Sequence, residues 1–229
     1  VELQVADEPA SWAAAGFTVD GDVVRVGPVA IRLTGSDAPE RRGITGWTVS
    51  GLSLADGHLD GLPTTSTVVP SAEDDVPPGS PPSGPTDPHP NGVIGLDHLV
   101  VATPDLDRTI AACEAAGLEL RRIRDTTMNG SPMRQAFFKL GPVVLEVVSG
   151  DLGVGLPAAE APAAFFGLAV DVADLDQTAA VLGEGLGRIK PAVQRGRRIA
   201  TVRHRAFDVS VAIAAMDDHL DRTVAEPDR

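Results

Sequence analysis

The chain has 229 residues, 43% of them apolar, with a formal charge of -13 and a pI near 4.7. That length suits one large domain or two small ones, and the apolar fraction is enough to bury a real core and excludes a disordered chain. No basic run exceeds a few residues, so nucleic acid and anionic membrane are excluded as partners, because both need a cationic footprint; no apolar run reaches the roughly 20 residues that span a bilayer.

Aromatics are 3% and tyrosine is absent, so Val, Leu, Ile and Ala must build the core. Cys113 is the single cysteine. It excludes an intrachain disulfide and a cysteine-based zinc site, and fits a reducing cytoplasm. No signal-peptide pattern is present.

In chain order, a short helix around Pro9–Ala15 is followed by strands at Gly27–Leu33 and Ile44–Leu52. Pro63 to Pro90 is crowded with Pro, Ser, Thr, Gly and Asp. Proline fixes φ and lacks an N–H, so this stretch reads as a polyproline-II-like linker outside any ladder. The middle segment opens on an alternating strand, Leu96–Ala102. Thr103 then caps a helix with Pro104 at its first position, Leu106, Ile110 and Cys113 form its apolar stripe, and Gly117 ends it. Strands at Leu118–Arg124, Arg134–Leu140 and Val143–Val148 complete a β-α-β-β-β unit. After a second break from Ser149 to Pro162 the pattern returns. Phe166–Val172 is a strand, and Asp174-Leu175-Asp176 opens a helix as Asp105-Leu106-Asp107 does. Strands at Gly187–Val193, Arg198–Arg205 and Val209–Ala215 follow. The N-terminal segment is a terser copy: Ala14-Ala15-Gly16-Phe17 matches Ala115-Ala116-Gly117-Leu118, and Gly27–Leu33 matches Gly141–Val147. Ile44–Leu52 has no counterpart. The chain thus divides into a degenerate module with an extra strand (1–62), a proline-rich linker (63–92), a middle module (93–150), a C-terminal module (163–217) and a flexible tail (218–229).

The tandem β-α-β-β-β unit, opening LDHLVVATPDLD at Leu96–Asp107 and closing FFKLGPVVLEVV at Phe137–Val148, resembles the vicinal oxygen chelate superfamily. This is the group of glyoxalase I, bleomycin-resistance proteins and extradiol dioxygenases, and the whole chain is similar to its actinobacterial glyoxalase-like members. The resemblance implies an α+β fold in which tandem βαβββ modules form curved mixed sheets around a cleft. It also implies a small-molecule ligand, a homodimer, and a divalent metal (Zn, Ni, Mn or Fe) in the metal-dependent members.

Carried over residue by residue, the resemblance puts His98 at the first-strand ligand position and Glu146 at the last-strand position. Imidazole and carboxylate suit such ions, which can act as Lewis acids. Alternation puts Leu96, His98 and Val100 on one face and Val144, Glu146 and Val148 on one face. An ionised Glu among valines calls for a cation or a donor, independently of any family. The other half of the ligand set is missing: Gly167 matches His98, Ala212 matches Glu146, and the N-terminal copy has Arg32 at the Glu146 position. On the third strand, Arg134, Gln135 and Phe138 are the substrate-contact candidates, with Phe137 and Phe138 on alternate faces. His204, on a strand candidate, could supply a third ligand; His58, His89 and His219 fall in loops or the tail. Arg121, Arg122 and Arg124, like Arg195, Arg197 and Arg198, read as solvated basic faces paired with carboxylates, and Cys113 reads as inert packing. Gly153-Val154-Gly155 is too short for a dinucleotide loop. Two functions stand open. One is a glyoxalase-like isomerase, lyase or dioxygenase in which His98 and Glu146 hold a metal or act as an acid–base pair. The other is a metal-free small-molecule-binding protein of the bleomycin-resistance kind.

Overall fold

The computed structural model describes residues 1–35, 42–68, 87–128, 130–141, 143–152 and 158–218. Alternating apolar residues make two mixed sheets, and few helices cover them. In the middle module β7 (Val93–Ala102) leads into α2 (Leu106–Ala115), followed by β8 (Glu119–Met128), β9 (Ser131–Leu140) and β10 (Val143–Ser149). In the C-terminal module β11 (Ala164–Val172) leads into α3 (Leu175–Leu182), followed by β12 (Lys190–Pro191), β13 (Arg197–Val202) and β14 (Ala212–Asp218). The two modules join along their first strands, which pair antiparallel, giving an eight-stranded sheet of order β12-β13-β14-β11-β7-β10-β9-β8.

The N-terminal segment contributes β1 (Glu2–Val5), α1 (Pro9–Ala14), β2 (Val23–Val26), β3 (Val29–Leu33), β4 (Ile44–Ser50), β5 (His58–Leu59) and β6 (Leu62–Thr67). Its order is β2-β3-β1-β4-β6-β5. Here β1 runs parallel to β3 and antiparallel to β4, and β4 runs parallel to β6. The larger sheet has the same order once β8 and β12 are removed from its edges. The extra strand expected at Ile44–Leu52 therefore does have a counterpart: β4 occupies the place of β11, as the first strand of a fourth, helix-less module.

Several expected boundaries move. The linker was expected from residue 63, yet β6 extends through Thr67, with Pro63 next to the edge strand β5 where its missing N–H is tolerated. Residues 69–86 and the tail 219–229, with His219, lie outside the described residues, as do 153–157. Asp105, not Thr103, caps α2: its side chain accepts the Arg108 N–H at 3.0 Å, while Thr103 Oγ1 accepts the Asp105 N–H. The strand expected at Gly187–Val193 shrinks to Lys190–Pro191. His204 lies in a 3-10 turn, His204–Phe207, ended by Asp208 in the left-handed region (φ 59°), which delays the last strand to Ala212. His204 Nδ1 is bonded to the Val209 carbonyl at 2.7 Å.

Helix α2 packs on β8, β9 and β10, and α3 on β13 and β14. Leu99, Val101, Ala136, Phe138, Leu140, Leu145 and Val147 turn toward the helices and join one core that continues into the N-terminal sheet. The opposite, helix-free face of the larger sheet carries the residues considered next.

Candidate functional site on the helix-free face

His98 and Glu146 sit on neighbouring parallel strands. His98 is opposite Val144 and Glu146 opposite Val100, so the two are diagonal neighbours on one face. His98 Nε2 lies 3.1 Å from Glu146 Oε2. The nearby Gln135 amide donates to Glu146 Oε1, while Gln135 Oε1 is buried without a hydrogen-bond partner among the described residues. Glu146 is 8% exposed.

The expected alternation of the first strand fails at one point, with a local cause. Ala169 pairs with His98 but Val170 pairs with Leu96, so Asp97 is an extra residue, a β-bulge. The bulge sends Leu96 into the core with Leu99, on the side opposite His98, rather than sharing a face with it. It also brings Asp97 beside its neighbour: Asp97 Oδ2 is 2.6 Å from His98 Nδ1. Asp97 in turn accepts from Arg197 at 2.8 Å, and Arg197 also engages Asp171 and Asp218. A polar chain thus crosses the face from Gln135 on β9 to Asp218 on β14. At its far end a groove of about 490 Å³ opens among Ile94, Gly95, Asp97, Asp171 and Arg197.

Burial opposes a charge on His98, but the hydrogen bonds it donates to Asp97 and Glu146, and their charges, outweigh it and raise its pKa to about 9. His98 is therefore an imidazolium at neutral pH, held between two carboxylates. Burial alone would raise Asp97, but its bonds to His98 and Arg197 hold it below the ordinary carboxylate range. Asp171 is raised, first by burial and then by the charge of Asp97.

Two sequence candidates stand elsewhere. Arg134 and Gln135 are successive residues of a regular strand, so they point to opposite faces. Arg134 is on the helix side, paired with Asp107 of α2 at 3.2 Å and with Asp125 at 3.5 Å. Phe138 is fully buried in the core. Phe137, opposite Glu146 in the ladder, is the ring that faces the site, and the Arg122 guanidinium lies 5.0 Å above it.

The C-terminal half of the face is lined with small residues. Gly167 pairs with Ala212 and Ala169 with Ala214. Because Ala169 stands where Val100 stands in the middle module, the strand partner of Glu146 across the pseudo-dyad is Ala214, two residues beyond the Ala212 expected from sequence. A Cβ on Gly167 would lie 2.5 Å from the Ala212 carbonyl oxygen. Backbone packing therefore closes the position matching His98 to any larger side chain. The N-terminal Arg32 pairs with Glu2 and Asp22, both at 3.2 Å.

A resident divalent metal does not fit this donor set. His98 Nε2 and Glu146 Oε2 are two donors already joined to each other, and among the described residues no group of three or more His, Cys, Asp or Glu converges on a point. Two protein ligands hold a metal weakly.

No family model matches the chain, and no curated protein matches it in sequence. Its fold is shared with solved structures. A mutant of 4-hydroxymandelate synthase from Streptomyces coelicolor aligns at 15% identity and TM-score 0.60, covering 94% of this chain and 90% of that one. A catechol 2,3-dioxygenase aligns at 14% identity and TM-score 0.53 with the same coverage. A xylose isomerase-like TIM barrel/4-hydroxyphenylpyruvate dioxygenase fusion protein aligns at 11% identity and TM-score 0.57, covering 95% of this chain and 48% of that one. The chain has the vicinal oxygen chelate fold that its repeat resembles.

Proposed function

We propose that this chain is a metal-independent small-molecule-binding protein that receives its ligand on the helix-free face around His98 and Glu146. One observation carries the reading: the half-site is closed on itself, with His98 bridging Asp97 and Glu146, and the opposite half is closed by the Gly167–Ala212 contact. Of the two functions open in the sequence, this favours the binding protein. A cytoplasmic setting agrees with the lone thiol, Cys113, whose burial pushes its pKa up to about 12. A homodimer rests on the superfamily resemblance.

A second reading keeps an enzyme without a metal. His98 would donate a proton and Glu146 accept one, in a proton-transfer isomerisation of a small oxygenated metabolite. The 3.1 Å contact between an imidazolium and a carboxylate favours it.

Thermal melts of chelator-treated wild type and Glu146→Gln, each with and without Zn, Ni, Mn or Fe, test the reading. No metal-dependent shift is expected in either protein, and Glu146→Gln is expected to cost about 1–3 kcal/mol by taking one carboxylate from the buried cation. A metal-dependent rise in wild type that is lost in the variant would overturn the reading, because a ligand of the native state must stabilise it.

A further inference from the structure

The basic run on β8, read from sequence as a solvated face, is not uniform. Arg121 pairs with Glu119 at 2.5 Å. Arg122 and Arg124 have no ion-pair partner among the described residues, although Asp and Glu outnumber Lys and Arg by 32 to 19. Carboxylates do pair with Arg32, Arg42, Arg108, Arg134, Arg197 and Arg198. Other described arginines without an ion pair, such as Arg188 and Arg203, are exposed; Arg122 is exposed too but lies over the Phe137 ring, and Arg124 is half-buried. The hydrogen bond that the Arg124 guanidinium makes, to Thr126 Oγ1, is 3.5 Å long.

The ladders place both residues relative to the site. Arg122 is opposite Phe137, which is opposite Glu146; Arg124 is opposite Gln135, which is opposite Val148. Directly opposite residues share a face. Both guanidinium groups are therefore rooted on the helix-free face, two strands from Glu146, or about 10 Å away. Between them and the His98–Glu146 pair lie the Phe137 ring and the Gln135 side chain.

We propose that Arg122 and Arg124 clamp the anionic group of the ligand, which is a small organic carboxylate with an apolar body directed past Phe137 toward His98 and Glu146. This rests on the helix-free face being the ligand site. Two planar guanidinium forks match a carboxylate. A phosphate dianion presents the same oxygen chemistry, but its second charge would be set against Glu146 and Asp97, so the carboxylate is favoured.

The test uses benzoate and hexanoate as probes, benzyl alcohol as the neutral counterpart and inorganic phosphate as the competing anion, with titrations followed by amide NMR shifts on the full chain. Saturable benzoate or hexanoate binding is expected, weakened about tenfold or more by Arg122→Gln or Arg124→Gln and unchanged by Arg121→Gln. Thermal melts check that each variant is folded. Phosphate binding more tightly than either carboxylate would overturn the assignment. Benzoate binding that is weakened by Phe137→Ala but unchanged in both arginine variants would overturn the clamp and leave the face as the ligand site. No saturable shift with any probe would overturn the clamp and the ligand site together.

Discussion

Two histidines of this chain titrate with opposite consequences for stability. His98 has a folded value of about 9, above its ordinary 6.5. Its contribution is complete below pH 6.5 and is lost as pH rises through about 9, on the order of 3 kcal/mol. Urea melts of wild type and His98→Gln should therefore differ at about pH 6 and converge by about pH 10. His89 is the reverse case. Burial, partly offset by its bond to the Arg25 carbonyl, lowers its pKa below 6.5. Nδ1 accepts the Thr18 N–H at 2.9 Å, which only a neutral ring can do, and Nε2 bonds the Arg25 carbonyl at 2.9 Å. Its contribution is complete above pH 6.5 and is lost as pH falls below the folded value. An NMR titration should find the His89 ring still neutral below the pH at which an exposed histidine charges, and a ring that charges at or above pH 6.5 would contradict this. The sequence hid this residue. His89 lies between Pro88 and Pro90 at the end of a loop-like stretch, and nothing local in the chain announces that Thr18 and Arg25 will meet it.

At the scale of strands, the register decides which of two adjacent phenylalanines matters. Phe138→Ala should cost about 3–5 kcal/mol because it empties a fully buried core position. Phe137→Ala should cost about 1 kcal/mol or less in folding while weakening ligand binding, since that ring faces Glu146. Denaturant melts and probe titrations on the two variants separate the roles. Gly167→Ala should destabilise by about 1–3 kcal/mol, as its Cβ would press on the Ala212 carbonyl oxygen. The repeated modules were legible because Asp-Leu-Asp and the apolar strand closings recur along the chain. So was the meeting of His98 with Glu146, which needs only regular pairing of two alternating strands. The bulge at Asp97 was not legible. The run Leu96 to Ala102 fits plain alternation equally well, and only the pairing with β11 shows the extra residue. Which of Phe137 and Phe138 is core, and on which side Arg134 stands, was not legible either: alternation separates neighbours into two faces but does not say which face the helices cover.

At the scale of the whole molecule, the two sheets are joined by buried polar groups that find their partners across the seam. Asp60 accepts Arg108 Nε at 2.7 Å and Thr109 Oγ1 at 2.5 Å. Asn91 donates to the Ala15 carbonyl and accepts Thr178 Oγ1 at its own carbonyl. Asp7, 1% exposed, receives Trp12 Nε1, the Arg42 guanidinium and the Ser210 N–H. Both sheets should consequently unfold in one transition, with probes in Trp12 and in β14 reporting the same midpoint. Asp7→Leu should lower stability by about 1–3 kcal/mol by leaving the Trp12 Nε1 and Ser210 N–H groups without their acceptor, while Arg42 keeps Asp208. Separate midpoints for the two sheets in wild type would contradict the joint transition. The link from Asp7 to Ser210 also bears on how the protein is made. A ribosome delivers the N-terminal sheet complete long before Ser210 emerges, so during synthesis the Asp7 carboxylate lacks one of its final donors. The surroundings of Asp7 are therefore completed only once the segment that carries Ser210 has been made and has docked.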